Sequence, residues 1–260
     1  MGGGITIKSH AEIDAMRVAC RLAAKTLKLA GELVKPGICT DDINRFVHEY
    51  TLDNGATPAP LNYHGFPKSV CTSINEVVCH GIPSSKEFLE EGDIVNIDVT
   101  SIVDGFHGDT SRTFLVGAVS PEVKKLVEVT WECLHRGIAQ VKPGARIRDI
   151  GGAIQDYAEP FGYGVVREYV GHGIGRAFHE DPQIAHYRAK GKNPRLRKGM
   201  TFTIEPMINL GTHETVLDSD DGWTVRTLDN RHSAQFEHTV LCCDEGVEIL
   251  TDWKFIDKTV

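Results

Sequence analysis

No apolar run in the chain approaches the length of a membrane span, so a spanning helix is excluded from the start. Positive charge is scarce too: 28 Lys and Arg stand against 36 Asp and Glu, a formal net charge of −8. A field of that sign favours neither DNA nor an anionic membrane surface. Cysteine is present without a pattern. The seven are odd in number, contain no C-x-x-C pair and sit mostly in apolar surroundings. A disulfide framework or a cysteine zinc cluster is therefore not expected, and reduced thiols in a cytosol are the better reading. Nucleotide-binding glycine motifs and the G-x-S-x-G elbow are absent. His179-Glu180 opens like the helical zinc motif H-E-x-x-H, but position 183 is Gln. Cys79-His80 keeps Cys–His catalysis formally open, with nothing to indicate an activated thiol. The start lacks the basic and apolar regions of a secretory signal. It does fit the loose acylation pattern M-G-x-x-x-[ST], which a glycine-rich leader explains better.

What the chain does have is an internal repeat. Val34-Lys35-Pro36-Gly37 recurs as Val141-Lys142-Pro143-Gly144, a shift of 107 (141 − 34). Gly92 precedes an apolar strand carrying Asp98, and Gly199 precedes one carrying Glu205, at the same shift. The periodicities agree. Ser9 and Glu12 form a capping box ahead of Ile13, Met16, Cys20, Ala23, Leu27, Ala30 and Val34, which share one helical face. Thr40 reads as the N-cap of a second helix burying Ile43, Phe46, Val47 and Tyr50. In the second half Ser120-Pro121 opens a helix through Leu126, Thr130, Cys133 or Leu134, and Val141. Ile147, Ile150, Ile154, Tyr157 and Phe161 mark its successor. Each half reads helix, turn, helix, strands. This predicts one α+β domain over residues 1–260, with halves at about 10–118 and 119–252 and a site between them.

The strands carry the chemistry. In Ile94–Val99 the alternation of side chains sets Asn96 and Asp98 against Val95, Ile97 and Val99. Thr203 and Glu205 stand likewise against Phe202 and Ile204. A hairpin turning at Asp104-Gly105 would return Asp109 beside the first strand. Glu237 shares a face with Ser233, Gln235 and Thr239. A lone acid in such a strand is most simply a salt-bridged or surface carboxylate. Four on successive apolar strands would repel one another without a cation among them. His172 lies between glycines, His179 follows seven residues later, and His80-Gly81-Ile82 echoes His172-Gly173-Ile174. A duplicated His-Gly-Ile ahead of each acid-bearing strand points to a site rather than to packing.

Taken together, these residues closely resemble the type I methionine aminopeptidases of the short bacterial kind, essentially end to end. The matching segments include Tyr63–Cys71, Asn75–Pro83, Asn96–Val99, Gly108–Ser111, Gly171–Gly175, Thr203–Pro206 and Gln235–Thr239. The resemblance implies the pita-bread fold, with a pseudo-twofold repeat and an antiparallel sheet flanked by helices. It implies two divalent metal ions held by Asp98, Asp109, His172, Glu205 and Glu237. A hydroxide shared between metals roughly 3.5–4 Å apart would then attack the peptide. One nitrogen among oxygen ligands suits Mn²⁺, Fe²⁺ or Co²⁺, while affinity order keeps Zn²⁺ open. Glu205 would also shuttle a proton, His179 would donate to the scissile carbonyl oxygen, and His80 would orient the substrate near the scissile nitrogen. Tyr63, Phe66, Cys71, Phe178 and Trp223 would line the methionine pocket, with His64 a further substrate contact; for Phe66 and Cys71 plain core packing is an equal reading.

The implied activity is removal of the initiator methionine from nascent polypeptides with a small second residue, by a cytoplasmic monomer without DNA or membrane partners. This chain departs from many relatives at Pro60, where a Cys is common, and at Phe66, where a Tyr is common. The helical insertion of type II enzymes and the zinc-binding extension of many eukaryotic type I enzymes are missing. Two alternatives remain: a prolidase-like or aminopeptidase P-like peptidase, and a non-catalytic binding module on the same fold. The basic run Arg188, Lys190, Lys192, Arg195, Arg197 and Lys198 reads as a solvated loop, with docking on ribosomal RNA as its functional alternative.

Overall fold

The computed structural model describes residues 4–253; residues 1–3, with the start of the glycine-rich leader and its acylation pattern, lie outside them. Four α-helices organise the described residues. At the start of α1 (His10–Gly31) the Ser9 hydroxyl accepts the Glu12 N–H at 3.4 Å, and the Glu12 carboxylate accepts the Ser9 N–H at 2.9 Å. The capping box is thus as expected. The helix ends before Val34, because Leu33 and Val34 bond three residues back in a tightened turn. Cys39, not Thr40, is the N-cap of α2 (Thr40–Asp53). The Thr40 hydroxyl donates instead to the Ser84 carbonyl at 3.1 Å, which takes it away from the helix end. Ile43 and Val47 of α2 are buried, while Phe46 and Tyr50 are half-buried.

Ser120 caps α3 (Pro121–Ile138) by accepting the Val123 N–H at 3.3 Å, as expected. Val141 is buried beyond its end. In front of α4 (Ile147–Ala158) the Asp149 carboxylate accepts the Arg146 N–H at 2.8 Å. Phe161 is not on its buried face. It sits on a 3-10 turn that Pro160 interrupts the helix to form, and it is 41% exposed.

The two Lys-Pro-Gly turns behave alike. Gly37 and Gly144 hold φ of +84° and +87°, a region costly for a side chain, which ends the preceding segment. Gly37 donates to the Leu89 carbonyl at 2.7 Å and Gly144 to the Leu196 carbonyl at 2.9 Å, partners again 107 residues apart.

The first half supplies β1 (Thr57–Pro58), β2 (Cys71–Ile74), β3 (Val77–Cys79), β4 (Ile94–Val103) and β5 (Phe106–Leu115). The second supplies β6 (Gly164–Val165), β7 (Gly171–Gly173), β8 (Glu180–Ile184), β9 (Thr201–Ile204), β10 (Met207–Asn209), β11 (Thr215–Leu217), β12 (Val225–Thr227), β13 (Ser233–Cys242) and β14 (Val247–Ile249). Both halves share one antiparallel sheet, in the order β1-β4-β5-β13-β9-β7-β8. A small second sheet, β11-β12-β3, stands beside it.

Period-two alternation then separates the faces. Val95, Ile97 and Val99 pack against Leu27 of α1 and Ile43 of α2. Phe202, Ile204, Phe236 and Val240 pack against Leu126 of α3 and Ile150 of α4. Burying a side chain such as Phe202, which is fully enclosed, contributes about 1.5–3 kcal/mol. The alternate residues, among them Asp98, Asp109, Thr203 and Glu237, are left for the opposite face.

Candidate metal centre

Strand register sets the acids side by side. The hairpin turns at Asp104-Gly105, both at positive φ, and pairs Asp98 with Ser111 and Asp109 with Thr100. Ser111 pairs in turn with Glu237 on β13, so Asp98 and Glu237 flank one serine across three strands. On the far side of β13, Ile204 lies opposite His238 and Met207 opposite Gln235. β9 and β10 therefore keep a single register, and Glu205, in the gap between them, falls across from Glu237. Pro206 makes that gap, because it has no N–H to give the ladder.

His172 completes the group from β7. Its Nδ1 lies 3.0 Å from the Gly173 carbonyl, which places the ring proton there and leaves the Nε2 lone pair facing inward. Nε2 is 3.7 Å from both Asp109 Oδ2 and Glu205 Oε1. Neither contact is an ion pair, since burial holds the imidazole neutral with its pKa down at about 3. Asp109, His172 and Glu237 offer ligand atoms within 4.8 Å of one another. Asp98 lines the same cavity just outside that tight group.

The acids are buried beyond what their hydrogen bonds offset. Burial raises Asp109 to about 7 even though the Thr100 hydroxyl donates to it at 2.6 Å. Glu205 is raised to about 8, again by burial, against a 2.6 Å bond from the Thr203 hydroxyl. Burial and then the Asp109 charge hold Asp98 and Glu237 well above the usual carboxylate range. Asp98 Oδ1 and Glu237 Oε1 are buried without a hydrogen-bond partner. Orphaned carboxylate oxygens beside an inward lone pair are what a divalent cation satisfies. Four carboxylates carry −4 when ionised, which two such cations balance. The donor set fits a pair of metal ions.

The acids close one end of a cavity of about 190 Å³. Its other walls are apolar and aromatic. Phe66 meets Trp223 edge-on at 5.2 Å between centroids, and Tyr63 meets Phe178 at 4.9 Å. Cys71, opposite Asp98 on β2, joins them. His80, at φ +58°, and His179 also line the space. The Tyr63 hydroxyl lies 2.8 Å from His179 Nδ1. Burial lowers His179 to about 4, so it is neutral near pH 7. His64 is not among the wall residues: its backbone is left-handed at φ +47°, and its ring lies on the edge of Tyr63. Pro60 is a wall residue. Cys79 lines the cavity as a thiol, because burial and then the Glu205 charge push its pKa well up. That removes the driving force for Cys–His catalysis.

Some contributors have no signature of their own in the sequence. Thr100, which donates to Asp109, was missed, although alternation along the strand places it on the Asp98 face. Gln235 donates to Glu205 Oε2 at 3.3 Å, and Thr203 accepts the His172 N–H at 2.9 Å. His186 is fully buried and accepts the Glu205 N–H at 3.1 Å. Of the basic run, Arg188 pairs with Asp156, Lys198 with Asp244 at 2.7 Å, and Arg195 donates to the Gly144 carbonyl at 2.7 Å.

Comparison with known proteins agrees with this geometry. Metallopeptidase family M24 matches residues 14–244. "Methionine aminopeptidase A" of a Synechocystis strain is 59% identical over 251 residues, covering 96% of this chain and 99% of that protein. The crystal structure of methionine aminopeptidase from Rickettsia prowazekii superposes with a TM-score of 0.93 at 51% identity, covering 96% of this chain and all of that one. Prolidase from Pyrococcus furiosus is more distant, with a TM-score of 0.77 at 25% identity, covering 95% of this chain and 65% of its own. The fold is the pita-bread fold, and the chain belongs to metallopeptidase family M24, on its type I methionine aminopeptidase branch.

Proposed function

We propose that the chain removes methionine from the free N-terminus of polypeptides whose second residue is small. One observation carries this reading: two buried and two half-buried carboxylates, with a neutral imidazole, close one end of a cavity walled elsewhere by aromatic rings and a thiol. Asp98, Asp109, His172, Glu205 and Glu237 would hold two divalent cations. Their single nitrogen among oxygens favours Mn²⁺, Fe²⁺ or Co²⁺ over a thiolate-type zinc site, and zinc stays open on affinity. When bound, such a pair acidifies water and polarises a carbonyl.

The chain's own groups do the rest. Glu205, bonded through Oε1 to Thr203 and through Oε2 to Gln235, takes the proton of the attacking water. The Tyr63 hydroxyl lies within hydrogen-bond distance of His179 Nδ1. In the tautomer assigned for this role Tyr63 donates there and the ring proton stands on Nε2, for the carbonyl oxygen as charge develops. His80 orients the leaving amine. The substrate's free α-amine would approach a metal held by these residues, which would confine cleavage to the first residue. Tyr63, Phe66, Cys71, Phe178 and Trp223 enclose the thioether, with sulfur–aromatic contacts of about 0.3–1.5 kcal/mol each. Nascent chains in the cytoplasm are the substrates we infer, acted on by a monomer. The basic run is read as a solvated loop in which two of its six cations face acids, with docking on ribosomal RNA kept as its functional alternative.

The test is to strip the protein of metal and offer Met-Gly-, Met-Lys- and Xaa-Pro-headed peptides with each metal added back. Metal-dependent loss of Met from the Met-Gly peptide alone supports the reading. Cleavage before proline would move the chain to the prolidase kind, and no cleavage by folded protein with any metal would favour a binding module.

A further inference from the structure

Glu205 stands where the sheet cannot hold it. β9 ends at Ile204, Pro206 has no N–H, and ladder pairing resumes only at Met207. The backbone that aims this carboxylate is tied down from elsewhere. His186 Nε2 accepts the Glu205 N–H at 3.1 Å, from a ring that is fully buried. Because Nε2 accepts, the ring proton sits on Nδ1, and that nitrogen is buried without a partner. An apolar side chain would fill the same space without an orphaned donor, so packing alone does not account for a histidine here. The segment bearing the ring is itself pinned. α4 lies so close that a methyl group on Gly151 would collide with the carbonyl oxygens of Ala185 and Tyr187, on either side of His186.

We propose that His186 is a positioning residue, which fixes the Glu205 backbone at the break in the sheet and so sets that carboxylate against Asp109, His172 and Glu237. The chain of support runs from α4 through the 185–187 backbone and the His186 ring to the Glu205 amide. The proposal rests on reading Glu205 as a metal ligand, and its test therefore has one arm that needs no metal.

The variants are His186→Leu, which keeps bulk and loses the acceptor, and His186→Gln, whose side-chain oxygen reaches about as far as Nε2. His186→Asn, too short to reach, replaces the leucine variant if that does not fold. In metal-free protein, the Glu205 amide should exchange with solvent markedly faster in His186→Leu than in the parent and near the parent rate in His186→Gln. With Co²⁺ as the probe, His186→Leu should bind roughly 10–100-fold more weakly by calorimetry, with an altered visible absorption, while His186→Gln stays near the parent. Parent-like Co²⁺ affinity and spectrum in His186→Leu would overturn the proposal, as would a glutamine variant as impaired as the leucine one. A parent protein that binds no Co²⁺ would instead refute the metal reading, and the exchange rates would still decide whether His186 holds the amide.

Discussion

His179 is the residue whose predicted role is easiest to separate from metal binding. Its ring lies 4.2 Å from that of His172 between centroids, yet its Nδ1 is engaged by Tyr63 and it is not in the tight ligand group. Replacing it with alanine should lower kcat roughly 10²–10³-fold while leaving metal affinity unchanged, as loss of one oxyanion donor does. Steady-state kinetics beside a metal titration check this; an equal loss of metal affinity would make His179 a ligand instead. At this scale the sequence was informative wherever alternation spoke. Asp98, Glu205 and Glu237 each sit two residues from a polar neighbour and one from an apolar side chain, so their shared face could be read directly, while Asp109, between Gly108 and Thr110, was placed by the hairpin turn at Asp104-Gly105. His186 could not be read in this way. Its partner is a backbone N–H 19 residues away, and no side-chain pattern records a backbone acceptor. Thr40 misled for a related reason: a hydroxyl that caps well in isolation was drawn to Ser84 and Glu87 across the fold.

Among the elements, the loop carrying Phe178 and His179 is held by a contact that spans the chain. Lys8 Nζ lies 2.6 Å from Glu180 Oε2, with side chains only 3% and 15% exposed. Glu180 Oε1 accepts the Ala177 N–H at 3.2 Å, while the Lys8 N–H bonds Gly199 O at 2.8 Å. The N-terminal segment thus braces both the His179 loop and the turn before β9. Lys8→Met removes the cation and leaves a largely buried carboxylate unpaired, at a cost of about 3 kcal/mol. Urea unfolding should show that loss together with a reduced kcat; unchanged stability would mean that the pair contributes nothing net. The helix–turn–helix order of each half was legible because capping boxes and Lys-Pro-Gly turns are local signals. The Lys8 brace was not, since its partners are 172 residues apart and neither has a distinctive neighbourhood.

At the scale of the whole molecule, the buried site makes stability depend on pH and on metal. Burial lowers His172 and His186 to about 3 and His179 and His238 to about 4, so the unfolded chain binds more protons than the folded one below about pH 6.5. Those groups favour folding as the pH rises to that point and are silent above it. Asp109 and Glu205 act oppositely. Their folded values of about 7 and 8 exceed the unfolded ones, so the stability gained from their protonated forms is lost as the pH rises through about 7 to 8. Metal-free protein should therefore lose Tm between pH 6.5 and 8.5, and saturating Mn²⁺ should abolish the loss. Thermal melts across that range check it. A metal-free Tm that rises over the same window would contradict the assignment of buried, protonated acids.

The most direct test is a calorimetric titration of Mn²⁺ into metal-stripped protein at pH 7.5, repeated in buffers of different ionisation enthalpy. Two equivalents should bind with release of protons, because Glu205, together with Asp98 and Glu237 whose pKa values burial holds well up, must give theirs up to serve as ligands. Binding of no Mn²⁺, or uptake without proton release, would contradict a dinuclear centre built from these five residues.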